Sequence, residues 1–173
     1  MSDILVAYYS RAGENYFGGS KRYIKVGNTK RAAESIAASV GADIFEIRQK
    51  VPYSDVYDEC IAQAKDDLRK KARPEIEGLP EKTGYRTMVL AYPNYWGTVP
   101  MAVLTFLEGF STGGMRILPL CTNEGSGMGR SESDIKAACP DAEIGEGLEV
   151  PGSSVGTAGA EKRISDWLKA AGL

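Results

Sequence analysis

Two adjacent aromatic residues, Tyr95 and Trp96, stand between Pro93-Asn94 and Gly97. An apolar run precedes them, and a second apolar segment begins at Met101. Flat side chains on a short loop suit a ligand with a large flat ring, because aromatic faces stack and bury area together. Gly97 adds backbone angles closed to other residues. The competing reading puts both rings in the core. Core aromatics sit more readily on strands and helices than in a Pro-Asn…Gly loop, so ligand contact is favoured.

Two other segments have residue types suited to the same site. Ser10, Arg11, Ala12, Gly13, Glu14 and Asn15 follow an apolar run and combine hydroxyl, amide and glycine. Such a loop suits a phosphate group, held by backbone N–H groups and a helix N-terminus. Gly27, Asn28 and Thr29 directly precede a helical pattern, so Asn28 or Thr29 is a candidate cap. A plain turn and a plain N-cap account for these residues equally well. No Gly-Lys-Ser/Thr is present, which excludes a Walker loop. The third segment contains Thr122, Asn123, Glu124, Gly125, Ser126, Gly127, Met128, Gly129 and Arg130. Its glycines let backbone approach a ligand closely. Its GxGxG spacing follows a late strand and does not open a βαβ unit, so the dinucleotide fingerprint is rejected. A flexible surface loop is the alternative. Residues 16–26 carry Gly18-Gly19 between aromatics, the pattern of a small hairpin turn. That excursion either folds over the first loop or is purely structural, and the structural reading is favoured.

Composition narrows the chemistry. The chain has 173 residues and no histidine. Ser-His-Asp triads, Cys-His dyads and histidine-containing metal sites are therefore excluded. Without that neutral-pH proton shuttle, the chemistry is expected to reside in a bound cofactor. The formal charge is −2 with no long basic block, which argues against nucleic acid. Cys60, Cys121 and Cys139 are scattered and odd in number, as expected for a reducing compartment. No signal peptide and no membrane-spanning run is expected.

The three loops need a scaffold that ends several strands at one rim. Residues 4–9, 43–48, 87–92 and 115–121 read as strands, with a weak fifth in 142–150. Pro119 sits awkwardly inside the fourth. Helical patterns cover residues 29–40 (ended by Gly41), 54–72, 101–110 and 159–171. Ser131-Glu132-Ser133-Asp134 reads as a capping box opening another helix. Strands alternate with helices throughout. That order predicts a parallel sheet with helices on both faces, in one domain of 173 residues.

Residues 92–100 (Tyr-Pro-Asn-Tyr-Trp-Gly-Thr-Val-Pro) and 124–134 (Glu-Gly-Ser-Gly-Met-Gly-Arg-Ser-Glu-Ser-Asp) resemble the flavodoxin family. The closest likeness is to its FMN-binding branch with a Tyr-Pro-x-x-Trp-Gly-Thr-Val-Pro loop. The resemblance extends over essentially the whole chain. It implies a three-layer α/β/α fold with five parallel strands in the order 2-1-3-4-5, of which flavodoxin is itself a standard example. It implies FMN as cofactor. Ser10 to Asn15, with Asn28 and Thr29, would hold the phosphate, and Arg11 would add a charge contact or point to water. Pro93, Asn94, Tyr95, Trp96 and Gly97 would run along the ring, with Trp96 or Tyr95 stacked on it. The Gly97 peptide would be the one that turns toward the reduced ring. Thr122, Asn123, Glu124, Gly125, Ser126 and Gly129 would cover its other side or polar edge. Burial and nearby negative charge would disfavour the anionic reduced ring. Family members often pass directly from a Thr-Gly-Asn-Thr loop into the first helix. Here the excursion splits that loop in two.

The implied role is a cytoplasmic electron carrier between redox partner proteins, without a protein acid or base. The alternative is an FMN-dependent NAD(P)H:quinone oxidoreductase that passes electrons to a small-molecule acceptor. A receiver-type signalling domain is discounted, because Tyr8-Tyr9-Ser10 and Pro93-Asn94 occupy the positions its acidic residues need. A scaffold that has lost its cofactor is the remaining reading.

Overall fold

The computed structural model describes residues 2–173. Its strands are β1 (Ile4–Tyr8), β2 (Gly13–Phe17), β3 (Ser20–Ile24), β4 (Asp43–Glu46), β5 (Thr87–Pro93), β6 (Arg116–Asn123), β7 (Glu143–Ile144) and β8 (Leu148–Pro151). Its α-helices are α1 (Asn28–Val40), α2 (Tyr57–Lys70), α3 (Met101–Gly109), α4 (Ser131–Ala138) and α5 (Ala158–Ala170). The main sheet runs β4-β1-β5-β6-β7, and β8 also pairs with β6. All of these pairs are parallel. Without the separate β2–β3 hairpin, the order is 2-1-3-4-5, as the resemblance implies.

Alternation along the inner strands explains the two cores. Leu5, Ala7, Met88, Leu90 and Tyr92 face one side, where α3, Ile135 of α4 and Leu68 of α2 cover them. Val6, Tyr8, Val89, Ala91, Leu118 and Leu120 face the other side, against α1 and α5. A parallel sheet covered on both faces needs such continuous apolar runs. Helix α3 buries Met101, Ala102, Val103, Leu104, Phe106 and Leu107, so it is apolar nearly all round.

Pro119 lies inside β6, a central strand, and the ladder shows why it is tolerated. The Arg116 N–H bonds to the Arg86 carbonyl on the β5 side, whereas the Ile117 carbonyl accepts from Gly145 on the outer side. Residues alternate sides along a parallel strand, so Pro119 faces outward, like Ile117. Its position falls between the β7 pairing at Arg116 and Ile117 and the β8 pairing that starts at Leu120. The missing N–H therefore interrupts no ladder. The same gap explains why the expected fifth strand is two short pieces.

Two local expectations are corrected. Helix α2 starts at Tyr57 rather than near Ser54. The Ser54 carbonyl and the Asp55 carbonyl instead bond to Arg11 and to the Glu14 amide. The Ser131–Asp134 pattern is not a capping box. Ser131 is the first helical residue, its N-cap is Arg130, and no side chain caps the helix. The fully buried Ser131 hydroxyl instead accepts from the Tyr92 hydroxyl at 2.8 Å. Gly41 does end α1 as expected, with φ 63°.

Removing the Ser131 hydroxyl strands the buried Tyr92 hydroxyl. Ser131→Ala is expected to lose about 1–3 kcal/mol in urea denaturation, and adding Tyr92→Phe is expected to recover most of it, since an unsatisfied buried donor costs more than an absent pair.

Candidate functional site

The carboxyl ends of β1, β5 and β6 meet where the strand order reverses, the place where open α/β sheets bind ligands. A cleft of about 490 Å³ opens there. Arg11, Asn15, Asn28, Pro93, Asn94, Tyr95, Trp96, Gly97, Thr122, Asn123, Glu124 and Ser126 all line it. Residues from three separate loops therefore share one cavity. Its size lies within the range of small-molecule and cofactor sites.

The first wall is built by the split loop. Gly13, Glu14 and Asn15 are not loop residues; they begin β2, which pairs antiparallel with β3 through Gly13↔Ile24 to Phe17↔Ser20. Gly18 and Gly19 make the turn at φ 66° and 92°, matching the two positive φ values of a type I′ hairpin. After this hairpin the chain returns to its point of departure. A Cβ on Gly27 would lie 2.1 Å from Ser10 Oγ and 2.8 Å from the Arg11 carbonyl oxygen. Only glycine permits that approach. Neither Asn28 nor Thr29 caps α1, because the N-cap is Gly27, without a side-chain bond. Ser10 performs the task from a distance: its Oγ accepts from the Lys30 N–H at 3.0 Å. Thr29 is buried, and its hydroxyl shares a hydrogen bond with that of Thr122 at 2.7 Å. Among the described residues, the Asn28 and Thr29 amides have no protein acceptor. Asn28 Oδ1 is buried and also unpartnered.

Several predicted residues spend their polar groups holding the walls together. The Arg11 guanidinium donates to the Ser54 and Glu14 carbonyls, so it neither points to water nor stands free. Glu14 accepts from the Tyr57 amide at 3.0 Å. Ala12 is exposed and, with Ser10, Gly13, Glu14, Thr29, Gly125 and Gly129, is not part of the lining. Gly129 packs against the second loop, where a Cβ would lie 2.2 Å from the Gly97 oxygen.

The second loop separates its two aromatics. Tyr95 and Thr98 bridge through N–H···O bonds of 2.9 and 3.3 Å, leaving Trp96 and Gly97 at the tip. Their φ values of 57° and 82° match a type I′ turn. For a tryptophan, positive φ is an outlier that surrounding contacts must hold in place. Two contacts do so here. Asn94 Oδ1 accepts from the Gly97 N–H at 2.7 Å, and Trp96 Nε1 donates to the Ile61 carbonyl of α2 at 2.8 Å. The turn directs Tyr95 inward, edge-on to Tyr9 at 5.8 Å, and leaves Trp96 45% exposed. Trp96 is thus the available flat face, and Tyr95 belongs to the packed floor. The Gly97 peptide is fixed on both sides: its carbonyl accepts from the Arg130 N–H at 2.8 Å, and its N–H is held by Asn94. Asn94 also donates to the Gly127 carbonyl at 2.8 Å, joining the second loop to the third.

Glu124 closes the rim. Its carboxylate accepts from the Ser153 amide at 2.9 Å and from the Gly18 amide at 3.4 Å. The hairpin tip thus reaches across to the third loop. Lys21 pairs with Asp58 at 2.7 Å, and Tyr16 packs edge-on against Tyr57 at 5.0 Å. The excursion is therefore a wall of the cleft, not a structural detour. Tyr57, Cys60, Ile61 and Ala64 add a face of α2 that the loop-based reading missed. The signal was present as the apolar stripe of that helix, but periodicity does not tell a core face from a cavity face.

Chemically, the cavity offers no ionised nucleophile among the groups whose titration is shifted. Burial pushes the Cys60 thiol and the Tyr57 and Tyr95 hydroxyls above their ordinary values. Burial also pushes the Cys121 thiol up to about 12. These groups stay protonated at neutral pH, so none is a thiolate or phenolate nucleophile. No group of three or more metal-ligating side chains occurs among the described residues. Nor is any described helix long and apolar enough to cross a membrane.

Comparison with known proteins agrees with this geometry. A family model described as flavodoxin matches residues 3–170. A protein of Bacteroides eggerthii DSM 20697 classed as a flavoprotein is 30% identical, with TM-score 0.78, covering 100% of this chain and 99% of its own. Another of that class, from Bacteroides uniformis ATCC 8492, is 21% identical with TM-score 0.74, covering 97% and 98%. A flavoprotein of Lactobacillus acidophilus NCFM, solved in complex with FMN, is 14% identical with TM-score 0.66, covering 97% and 99%. No curated protein matches the chain.

Gly27→Ala is expected to destabilise the fold by about 1–3 kcal/mol in chemical denaturation, since the added methyl overpacks a closed junction. Its φ of −64° suits any residue, so the effect reads sterics alone.

Proposed function

The chain belongs to the flavodoxin family, and from that premise we propose that it binds FMN in this cleft and passes electrons to redox partner proteins. The observation that carries the proposal is Trp96, a large flat side chain that lines the cavity from a strained tight turn and stays nearly half exposed. The turn keeps the indole out of the core, and a flat, half-open aromatic face at a cavity suits stacking on a planar ring.

The residues present fit the cofactor. The free Asn28 and Thr29 amides at the start of a 13-residue helix suit a phosphate, which the helix dipole also favours. The unpartnered Asn28 Oδ1 is an acceptor suited to a sugar-alcohol hydroxyl. The exposed Trp96 ring would stack on the isoalloxazine. Apolar lining from Ile61 and Ala64 keeps water from the ring's flank. When bound, FMN supplies reversible uptake of one or two electrons. The protein's own part is to bind, orient and shield, consistent with the protonated state of the thiol and hydroxyls in the lining. The Arg11 guanidinium adds fixed positive charge to the wall while tethered to two carbonyls.

Titration with FMN tests this reading through flavin fluorescence quenching. The native chain is expected to bind, and Trp96→Asn to bind about tenfold or more weakly. Asparagine favours a type I′ turn, so the unfolding midpoint of that variant is expected to hold or rise. Equal affinity would remove Trp96 from the site. Steady NAD(P)H oxidation by the pure native protein with a quinone would select the reductase over the carrier.

A further inference from the structure

Lys65 also packs on the indole of Trp96. Its ammonium lies 4.9 Å from the Trp96 ring centroid, one helical turn beyond Ile61, whose carbonyl accepts the Trp96 Nε1 proton. Trp96 lines the cleft and Lys65 does not, so the cation meets the indole from outside the cavity lining. The positions three and four residues from Lys65 are Ala62, Leu68, Ile61 and Arg69, none of them acidic. The adjacent Asp66 pairs with Arg69 and Lys70 instead. Among the described residues, Lys65 has no carboxylate partner, so its charge is not neutralised at short range.

A cation over one face of an indole draws electron density toward itself. The indole becomes a poorer donor to an electron-poor oxidised ring stacked on it. The same charge attracts an anion stacked there. Both effects favour a reduced, negatively charged ring over an oxidised, neutral one. We propose that Lys65 is a positioning residue that acts through Trp96 to raise the preference for reduced over oxidised cofactor, the preference being the ratio of the oxidised to the reduced dissociation constant. The proposal rests on FMN binding in the cleft. It opposes what burial and nearby negative charge would do. Two electrons and one proton convert the neutral oxidised ring into a reduced ring with one negative charge. In the test, dithionite supplies the electrons and buffer the proton.

The experiment compares native protein, Lys65→Gln and Lys65→Arg. Dissociation constants for oxidised and for reduced FMN are measured anaerobically, at low and at high salt. Lys65 is exposed, so both variants are expected to fold. Lys65→Gln is expected to lower the preference for reduced FMN roughly two- to tenfold. Lys65→Arg is expected to restore it. High salt is expected to shrink the difference, because the charge faces solvent. A preference unchanged in Lys65→Gln, with oxidised FMN still bound, overturns this inference and leaves the proposed function standing. Native protein that binds no FMN overturns both.

Discussion

The close contact of Gly27 with Ser10 is the constraint on which the site depends. The chain leaves β1, makes a complete hairpin and returns to within a distance that no side chain allows. That return sets the N-terminus of α1 beside the carboxyl end of β1. Ser10 then supplies the acceptor that α1 lacks at its own N-cap. Two stretches separated by the hairpin thus form one anion-ready corner. The free amides there follow directly, since the first N–H groups of a helix have no intrahelical partner.

The second loop works by dividing its aromatics. A two-residue turn with positive φ at both positions alternates side-chain direction, so Tyr95 packs inward and Trp96 stays out. Asn94 makes this rigid by bonding both to Gly97 and to Gly127. Gly129 lies so close to the Gly97 carbonyl that the second and third loops are packed directly against each other. A cavity lined by three loops is therefore preformed, with little left to order on binding.

The hairpin changes the character of the rim. Arg11 and Glu14 tie its base to the segment before α2, and Lys21 and Tyr16 fasten its side to that helix. Glu124 meets its tip. Each exposed contact is weak alone. Together they brace a two-stranded unit that would be marginal in isolation.

The strands, the helices and the three loops at one rim were legible in the sequence, because apolar periodicity and glycine punctuation are local signals. Twelve of the expected residues line one cleft, and Trp96 stands at its edge. The failures share one cause. Ser10, Ser131 and Arg11 carry polar groups whose partners lie 20, 39 and 43 residues away, and no local pattern reveals such a partner. The Ser131 pattern looked like a cap because its neighbours have cap chemistry, but a buried tyrosine hydroxyl took the serine. The apolar stripe of α2 was visible, yet whether it faces core or cavity depends on what is packed opposite. By itself the sequence determined the order of elements, the sheet they build and the residue types at its rim. Only the tertiary structure decided which aromatic stays free, which amides remain unpaired and where the hairpin closes. Those outcomes depend on close approaches in space between residues far apart along the chain.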